Sequence, residues 1–246
     1  MNACGRFSLT DEGGEMLVWR PENLEIAVIF LSFTLFYLLY HFEVLDASFR
    51  GLNSGSKRSN QVTAVFIHRV LGTVLLGVFP GMCARLIVKK NLFEYGFTLS
   101  FSPWLLLVAF ALCALLFPVL FFYSRSPEAA ENAPQARPAK WNAALVLLNA
   151  CTWVTYLIAY ELCIRGYILL SLARNMGGWP AIFIMTAIYT AIHLPKGRGE
   201  AAGSAVIGIV FGVLTLIAGS IFIAVIIHVF VALTIDMLLI VRKRRN

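Results

Sequence analysis

The longest apolar helix predicted from the chain covers residues 142–173, NAALVLLNACTWVTYLIAYELCIRGYILLSLA. A helix needs about 20 predominantly apolar residues to cross the hydrocarbon core of a bilayer, so this segment is long enough to span it. Glu161 and Arg165 are its only charged residues. Because an ionisable side chain is costly in hydrocarbon, the first hypothesis is that this pair has a functional role.

The composition extends the same interpretation to the rest of the chain. Of the 246 residues, 59% are apolar and 13% are charged, whereas soluble domains carry about 25% charged residues. Six further apolar helices are predicted at 24–44, 63–84, 103–123, 179–194, 202–218 and 220–240. The predicted fold class is therefore all-α, a polytopic membrane helix bundle of about seven transmembrane helices.

The basic residues predict how the bundle is oriented. The formal net charge is +7. The segments predicted on the side of the C-terminal tail contain 12 Lys and Arg residues in total, and those on the other side contain 6. Cytoplasmic loops carry the excess of basic residues, so the tail VRKRRN is predicted in the cytoplasm and the N-terminus outside. The basic residues are thus predicted to lie at the surface of the lipid bilayer. Binding to nucleic acid is not predicted, because no zinc-finger or RNA-binding signature is present.

The connecting segment SRSPEAAENAPQARPAKW suggests how the chain is organised. Its Ala, Pro and Glu content predicts a flexible cytoplasmic linker over 124–141. It separates an N-terminal segment with supporting helices 1–3 (1–123) from helices 4–7 and the basic tail (142–246). A compact length and no visible organelle-targeting segment favour a prokaryotic inner (plasma) membrane.

The second half also holds the residues that suggest chemistry. His193 lies in predicted helix 5, and His228 and Asp236 lie in predicted helix 7. Alone, each histidine is more often a hydrogen-bonded core residue, and Glu161 with Arg165 is equally well a structural ion pair. Together, two histidines and a carboxylate on separate helices can converge on one buried point and polarise a water molecule.

The same three side chains are also a possible zinc site. Two histidines and one glutamate are a known zinc ligand set, here Glu161, His193 and His228. The spacing offers no H-E-x-x-H helix, so the metal signal is weak. No other cofactor is predicted.

The order of these residues resembles the CPBP family of intramembrane proteases, which includes CAAX prenyl endopeptidases and bacteriocin-processing or self-immunity membrane proteins. That family shows E-E-x-x-x-R, F-x-x-x-H and H-x-x-x-N/D, each on its own membrane helix. The corresponding residues here are Tyr160-Glu161-x-x-x-Arg165, Tyr189-x-x-x-His193 and His228-x-x-x-Ala232. The resemblance covers roughly 140–240.

The resemblance implies a membrane-embedded endopeptidase that hydrolyses a membrane-associated or lipidated protein substrate. In that scheme Glu161 activates water or shares its proton with His193. His228 stabilises the oxyanion, and Arg165 holds the glutamate by a bidentate pair. The expected partners are this substrate and the bilayer.

Two positions depart from the family pattern. Tyr160 stands where the family has its first glutamate, and Ala232 stands where it has Asn or Asp. Glu200 or Asp236 are candidate replacements for the missing acid, and Tyr160 is a candidate hydrogen-bond donor. One alternative is therefore a catalytically silent relative that acts as a membrane binding or immunity protein. The other is a small-solute transporter, which no inverted repeat supports.

Overall fold

Helices dominate the computed structural model, which describes residues 21–41, 57–99 and 101–245. The seven apolar helices of this part of the chain are α1 (Pro21–His41), α2 (57–88), α3 (Pro103–Tyr123), α4 (Ala143–Met176), α5 (Gly178–His193), α6 (Arg198–Ala218) and α7 (Phe222–Arg245). No strand occurs among these described residues. The predicted all-α fold class is confirmed.

The lengths of the helices suit a membrane. Five of the described helices, α2, α3, α4, α6 and α7, are long and apolar enough to cross one, and α1 and α5 contribute shorter apolar stretches. All seven lie within a few residues of their predicted bounds. The orientation of the termini stays a prediction, and residues 1–20 and 42–56 lie outside the described part of the chain.

Local signals explain where the helices of the second half begin and end. The Asn142 side chain accepts a hydrogen bond of 2.8 Å from the Leu145 amide and so caps the start of α4. Gly177, at φ +84°, separates α4 from α5, and Gly219, at φ +60°, ends α6. Glycine adopts such left-handed backbone angles without steric cost, which allows both sharp connections.

α4 lies at the centre of the bundle. It packs against α2 and α7 along its first half and against α5 along its second, while α5 runs along α6 and α7 packs against α3. Glycines allow the closest approaches: a Cβ added to Gly77 in α2 would lie 2.9 Å from the Ala159 Cβ, and one added to Gly208 in α6 would lie 2.9 Å from Thr186. Close backbone approach at small residues is typical of helix packing in membranes.

α1 is fastened to the bundle by a buried carboxylate. Glu25 lies 2.5 Å from Lys90 and 2.5 Å from Arg174, and it accepts a 2.9 Å hydrogen bond from Ser171. Lys90 follows α2, and Ser171 and Arg174 lie in the last six residues of α4. The N-terminal half is therefore joined to α4 by charge as well as by apolar packing.

The segment 124–141 is more ordered than its composition suggests. It contains a short helix, Pro127–Asn132, and Ala129 and Ala136 are fully buried. Gln61 donates a 2.6 Å hydrogen bond to the Gln135 carbonyl, which fixes the segment to α2. This contact with a distant residue is specific, and composition does not reveal it. The proposed division into 1–123, 124–141 and 142–246 stays a prediction.

Candidate active site

The middle of α4 departs from regular helix geometry at the residues singled out by their charge. The helix is α-helical over Ala143–Glu161 and continues as a π-helix over Leu162–Leu170 before it returns to α geometry. π-helical turns are rare and frequently occur at functional sites. Glu161 is the last residue before this change, and Arg165 lies inside the π segment.

Glu161 and Arg165 form a fully buried ion pair. The Arg165 Nη1 lies 3.2 Å from Oε1 and 3.0 Å from Oε2 of Glu161. One nitrogen therefore contacts both oxygens, whereas the prediction was a fork of two parallel hydrogen bonds. Both side chains have no exposed surface, so each charge depends on the other for its stability in the interior.

His228 from α7 completes the contacts of this carboxylate. Its Nδ1 lies 2.5 Å from Oε1 of Glu161. Because a carboxylate oxygen only accepts hydrogen bonds, Nδ1 is the nitrogen that carries the proton in this contact. The His228 side chain keeps 19% of its surface exposed, whereas Glu161 keeps none. His228 is thus the member of this contact that keeps an accessible surface.

His193 reaches the same region from the last turn of α5. It is buried, and its Nδ1 donates a 2.8 Å hydrogen bond to the Tyr189 carbonyl one turn earlier. Its ring lies 4.6 Å from the Tyr189 ring. The Tyr189 ring also contacts the Arg165 guanidinium and so links His193 to the buried ion pair. The four residues predicted from the sequence therefore lie in one region of the bundle, on α4, α5 and α7.

Tyr189 has a larger part in this cluster than its motif position indicated. Its ring centroid lies 4.1 Å from the Arg165 guanidinium carbon, which is within the range of a cation–π contact. Phe211 of α6 lies 5.4 Å from the same carbon. Two aromatic rings thus cover the buried cation. Sequence spacing alone placed Tyr189 one turn before His193 but gave no signal of its contact with Arg165.

Tyr160 and Ala232 occupy the positions where the family pattern has polar groups. Tyr160 is buried, and its ring meets the His228 ring edge-on at 5.8 Å. Within the described residues its hydroxyl has no hydrogen-bond partner. Ala232 is half-buried one turn after His228. Tyr160 therefore contacts the cluster through its ring, and its role as a hydrogen-bond donor stays a prediction.

The two candidate replacement acids are committed to other partners. The Asp236 Oδ2 accepts hydrogen bonds of 2.8 Å from Asn149 and 2.9 Å from Trp153, two turns along α7 from His228. Glu200 accepts hydrogen bonds from Tyr123 and Asn132 at 3.2 and 3.3 Å. Neither acid shows a hydrogen bond or ion pair to Glu161 among the described contacts.

Asp236 belongs to a second buried polar cluster that joins the two halves of the chain. Arg69 of α2 donates hydrogen bonds to the Asn149 side chain at 2.9 Å and to Thr152 at 3.1 Å. Its guanidinium also lies 4.0 Å from the centre of the Trp153 ring. This cluster has no counterpart among the site residues predicted from the sequence. The signal was an arginine inside the predicted second membrane helix, where an ionisable residue needs a buried partner.

The zinc alternative receives no geometric support. Among the described residues, no three His, Cys, Asp or Glu side chains lie close enough to hold a metal ion. The Arg165 Nη1 lies 3.0 Å from the second oxygen of Glu161, and this cation would repel zinc bound there. The Glu161, His193 and His228 set therefore does not fit a bound metal in this arrangement.

Comparison with known proteins bears on this cluster. Residues 140–234 match the family model described as Rce1-like, type II CAAX prenyl endopeptidase Rce1-like. This segment is similar to that family. The match confirms the resemblance drawn from the motifs, and it takes in Glu161, Arg165, His193 and His228. It begins just before α4 and ends before Asp236. No curated protein and no solved structure matches the chain.

The family match and the helices agree on the setting of the site. The family is one of membrane proteases, and the apolar helices indicate an integral membrane protein. All helices that carry the buried cluster, α4, α5 and α7, begin within the matched segment. The buried charges of the Rce1-like segment therefore lie in the interior of a membrane bundle.

Proposed function

We propose that the chain is an intramembrane endopeptidase of the CAAX prenyl endopeptidase type, which hydrolyses a peptide bond in a membrane-associated or lipidated protein. The observation that carries the proposal is the buried contact of Glu161 with both Arg165 and His228 inside the Rce1-like segment. A bundle that needed only apolar packing would not place three ionisable groups there, since each is costly to desolvate.

The geometry supports a mechanism in which Glu161 acts through His228. Glu161 is fully buried and held by Arg165, so its oxygens orient the Nδ1–H of His228. The Nε2 of the ring is then the nitrogen that accepts a proton from water, as in other carboxylate–histidine pairs. This assignment differs from the expected one, in which Glu161 met water directly and His228 bound the oxyanion.

His193 and Arg165 complete the proposed mechanism. The proton that His228 takes from water has to be passed on to the leaving amine. The hydrogen bond from His193 to the Tyr189 carbonyl fixes the His193 ring, which makes its Nε2 a candidate for relaying that proton. Arg165 neutralises Glu161 and is a positioning residue. The surrounding bundle excludes bulk water, so a water molecule bound there meets preorganised groups.

Cleavage of a membrane-tethered peptide by the purified protein tests the proposal. We expect Glu161→Gln, His228→Ala and His193→Ala each to abolish cleavage, while Glu131→Gln, an exposed carboxylate in the short helix, keeps it. The melting temperature of every variant shows whether it is folded. Full cleavage by a folded His228→Ala variant would remove the proposed base.

A second candidate function rests on Tyr160. This buried tyrosine replaces a glutamate of the family pattern, and its hydroxyl forms no hydrogen bond within the described residues. A silent relative that acts as a membrane binding or immunity protein would keep the cluster for stability alone. It predicts that Glu161→Gln retains the cellular phenotype of the protein, and loss of that phenotype would exclude it.

We place the protein in the prokaryotic inner membrane with its C-terminus in the cytoplasm. The support is the excess of basic residues on the side that carries the tail. A reporter enzyme fused to either terminus of the chain tests the orientation in a bacterial host.

A further inference from the structure

A basic pocket lies at the end of the bundle opposite to the Glu25 cluster. It has a volume of about 460 Å³ and is bounded by the residues after α3, the short helix Pro127–Asn132 and the last turns of α7. Four of its lining residues are cationic: Arg125, Arg137, Arg242 and Lys243. All four side chains are exposed, so their charges are accessible at the mouth of the pocket.

Among the described residues, no acidic side chain balances the positive charges of this pocket. None of its lining residues is acidic, and none of the four cations forms an ion pair among the described residues. Their hydrogen bonds go to uncharged backbone oxygens: Arg137 donates to the Glu131 carbonyl, and Arg242 donates to the Ser124 carbonyl at 3.4 Å. Like charges gathered in one pocket repel each other, and a bound anion would relieve that repulsion.

The surroundings of the pocket are apolar on the side of the helices. The Arg125 guanidinium lies 4.4 Å from the centre of the Phe121 ring and 5.6 Å from that of Phe122, and both rings are exposed. Trp141 and Leu239 also line the pocket. Exposed phenylalanines at the end of a membrane-spanning helix face lipid, and tryptophan is favoured at the membrane interface. A molecule in this pocket would therefore meet cations and an apolar surface together.

We infer that this pocket binds the phosphate group of an anionic lipid. Arginine guanidinium groups match phosphate oxygens with two parallel hydrogen bonds, and basic pockets between membrane helices suit phospholipid headgroups. The acyl chains of the lipid would lie along the exposed face of α3, beside Phe121 and Phe122. The orientation of a membrane protein depends on how many basic residues lie on one side of the membrane. It does not require these residues to line one cavity, as the four cations do here.

Lipid retention by the full-length protein tests this inference. The chain is purified in a nonionic detergent and titrated with phosphatidylglycerol or phosphatidylcholine, and native mass spectrometry counts the bound lipids. The test variant is Arg125→Gln/Arg242→Gln. The control is Arg85→Gln/Lys140→Gln, which removes the same charge from two exposed residues that do not line the pocket.

We expect tight retention of one phosphatidylglycerol and no comparable retention of phosphatidylcholine. Each basic residue near a headgroup contributes about fivefold in affinity, so the test variant should bind roughly 30-fold more weakly, and the control unchanged. Equal retention by the test and control variants would overturn the inference. Displacement of the lipid by 10 mM inorganic phosphate would assign the pocket to free phosphate and overturn the lipid assignment.

A folding defect in the double variant would not decide the question, so a single variant accompanies it. Lys243→Gln changes an exposed side chain for which no hydrogen bond is found within the described residues. This variant should bind phosphatidylglycerol about fivefold more weakly at an unchanged melting temperature. Unchanged binding by this variant would contradict the placement of the phosphate among the four cations.

Discussion

Replacing Arg165 with methionine tests whether the buried cluster depends on balanced charge. The guanidinium is fully buried, with Nη1 at 3.0 and 3.2 Å from the two oxygens of Glu161. Without it, the contact with His228 is the one that the described residues leave to the carboxylate. Removing one partner of a buried ion pair destabilises a protein by about 3–5 kcal/mol, because the other charge is left uncompensated.

A second route gives a similar magnitude. Glu161 can avoid an uncompensated charge by binding a proton, which at pH 7 costs about 3.7 kcal/mol for a carboxyl group with a reference pKa of about 4.3. This value limits the loss, so we expect about 3–4 kcal/mol at pH 7 and a smaller loss as the pH is lowered. For a chain of this size that corresponds to a melting temperature lower by roughly 6–16 °C.

The matched control removes both charges. Glu161→Met/Arg165→Met replaces the pair with apolar side chains, a change that is often neutral or stabilising for buried pairs. We expect this double variant to regain most of the melting temperature that Arg165→Met loses, as followed by tryptophan fluorescence in detergent. Cleavage should be absent from both. A double variant as unstable as the single one would refute the explanation by charge and would indicate loss of packing.

Three further predictions concern the bundle. Arg69→Met should lower stability by about 2–4 kcal/mol, since it removes the hydrogen bonds to Asn149 and Thr152. Exposed Arg85→Gln is its control, and equal melting temperatures would contradict a structural role for the buried arginine. Gly166→Ala should cost about 1–3 kcal/mol, because the new Cβ would lie 2.7 Å from a backbone oxygen. Gly203→Ala, which has open space around it, should be neutral or stabilising in the same thermal assay, and similar losses in both would exclude overpacking. A phosphatase fused after Asn246 should be inactive in a bacterial host, because that enzyme needs the periplasm; activity would reverse the predicted orientation.

The helices could be predicted from the sequence because their signals are local. Apolar length defines each span, and Asn142, Gly177 and Gly219 mark ends through their own side chain or backbone angle. The short predicted helix at 179–194 differs by one residue at each end from Gly178–His193. Convergence of α4, α5 and α7 could also be predicted, since buried ionisable groups on separate helices need each other as partners.

The identity of the contacts could not be predicted in the same way. Which histidine touches Glu161 depends on the rotation of α7 against α4, and the π-helical turns after Glu161 change the face that later residues present. Asp236 illustrates this: two turns beyond His228, it meets Asn149 and Trp153. The order of segment 124–141 depends likewise on Gln61, a residue more than 60 positions away. Such long-range contacts leave no periodic trace in the sequence.

The substitution of the family's first glutamate by Tyr160 bears on the route of the proton. Glu161 and Arg165 cancel each other, so a His228 that is neutral leaves the buried cluster without net charge. A second carboxylate at position 160 would add a charge that needs a proton or another cation, whereas a neutral phenol adds none. With Tyr160 the cluster therefore lacks the second carboxylate, but its charges stay balanced. In the proposed mechanism the proton from water passes through His228, because this residue alone in the described cluster combines contact with Glu161 and an exposed surface.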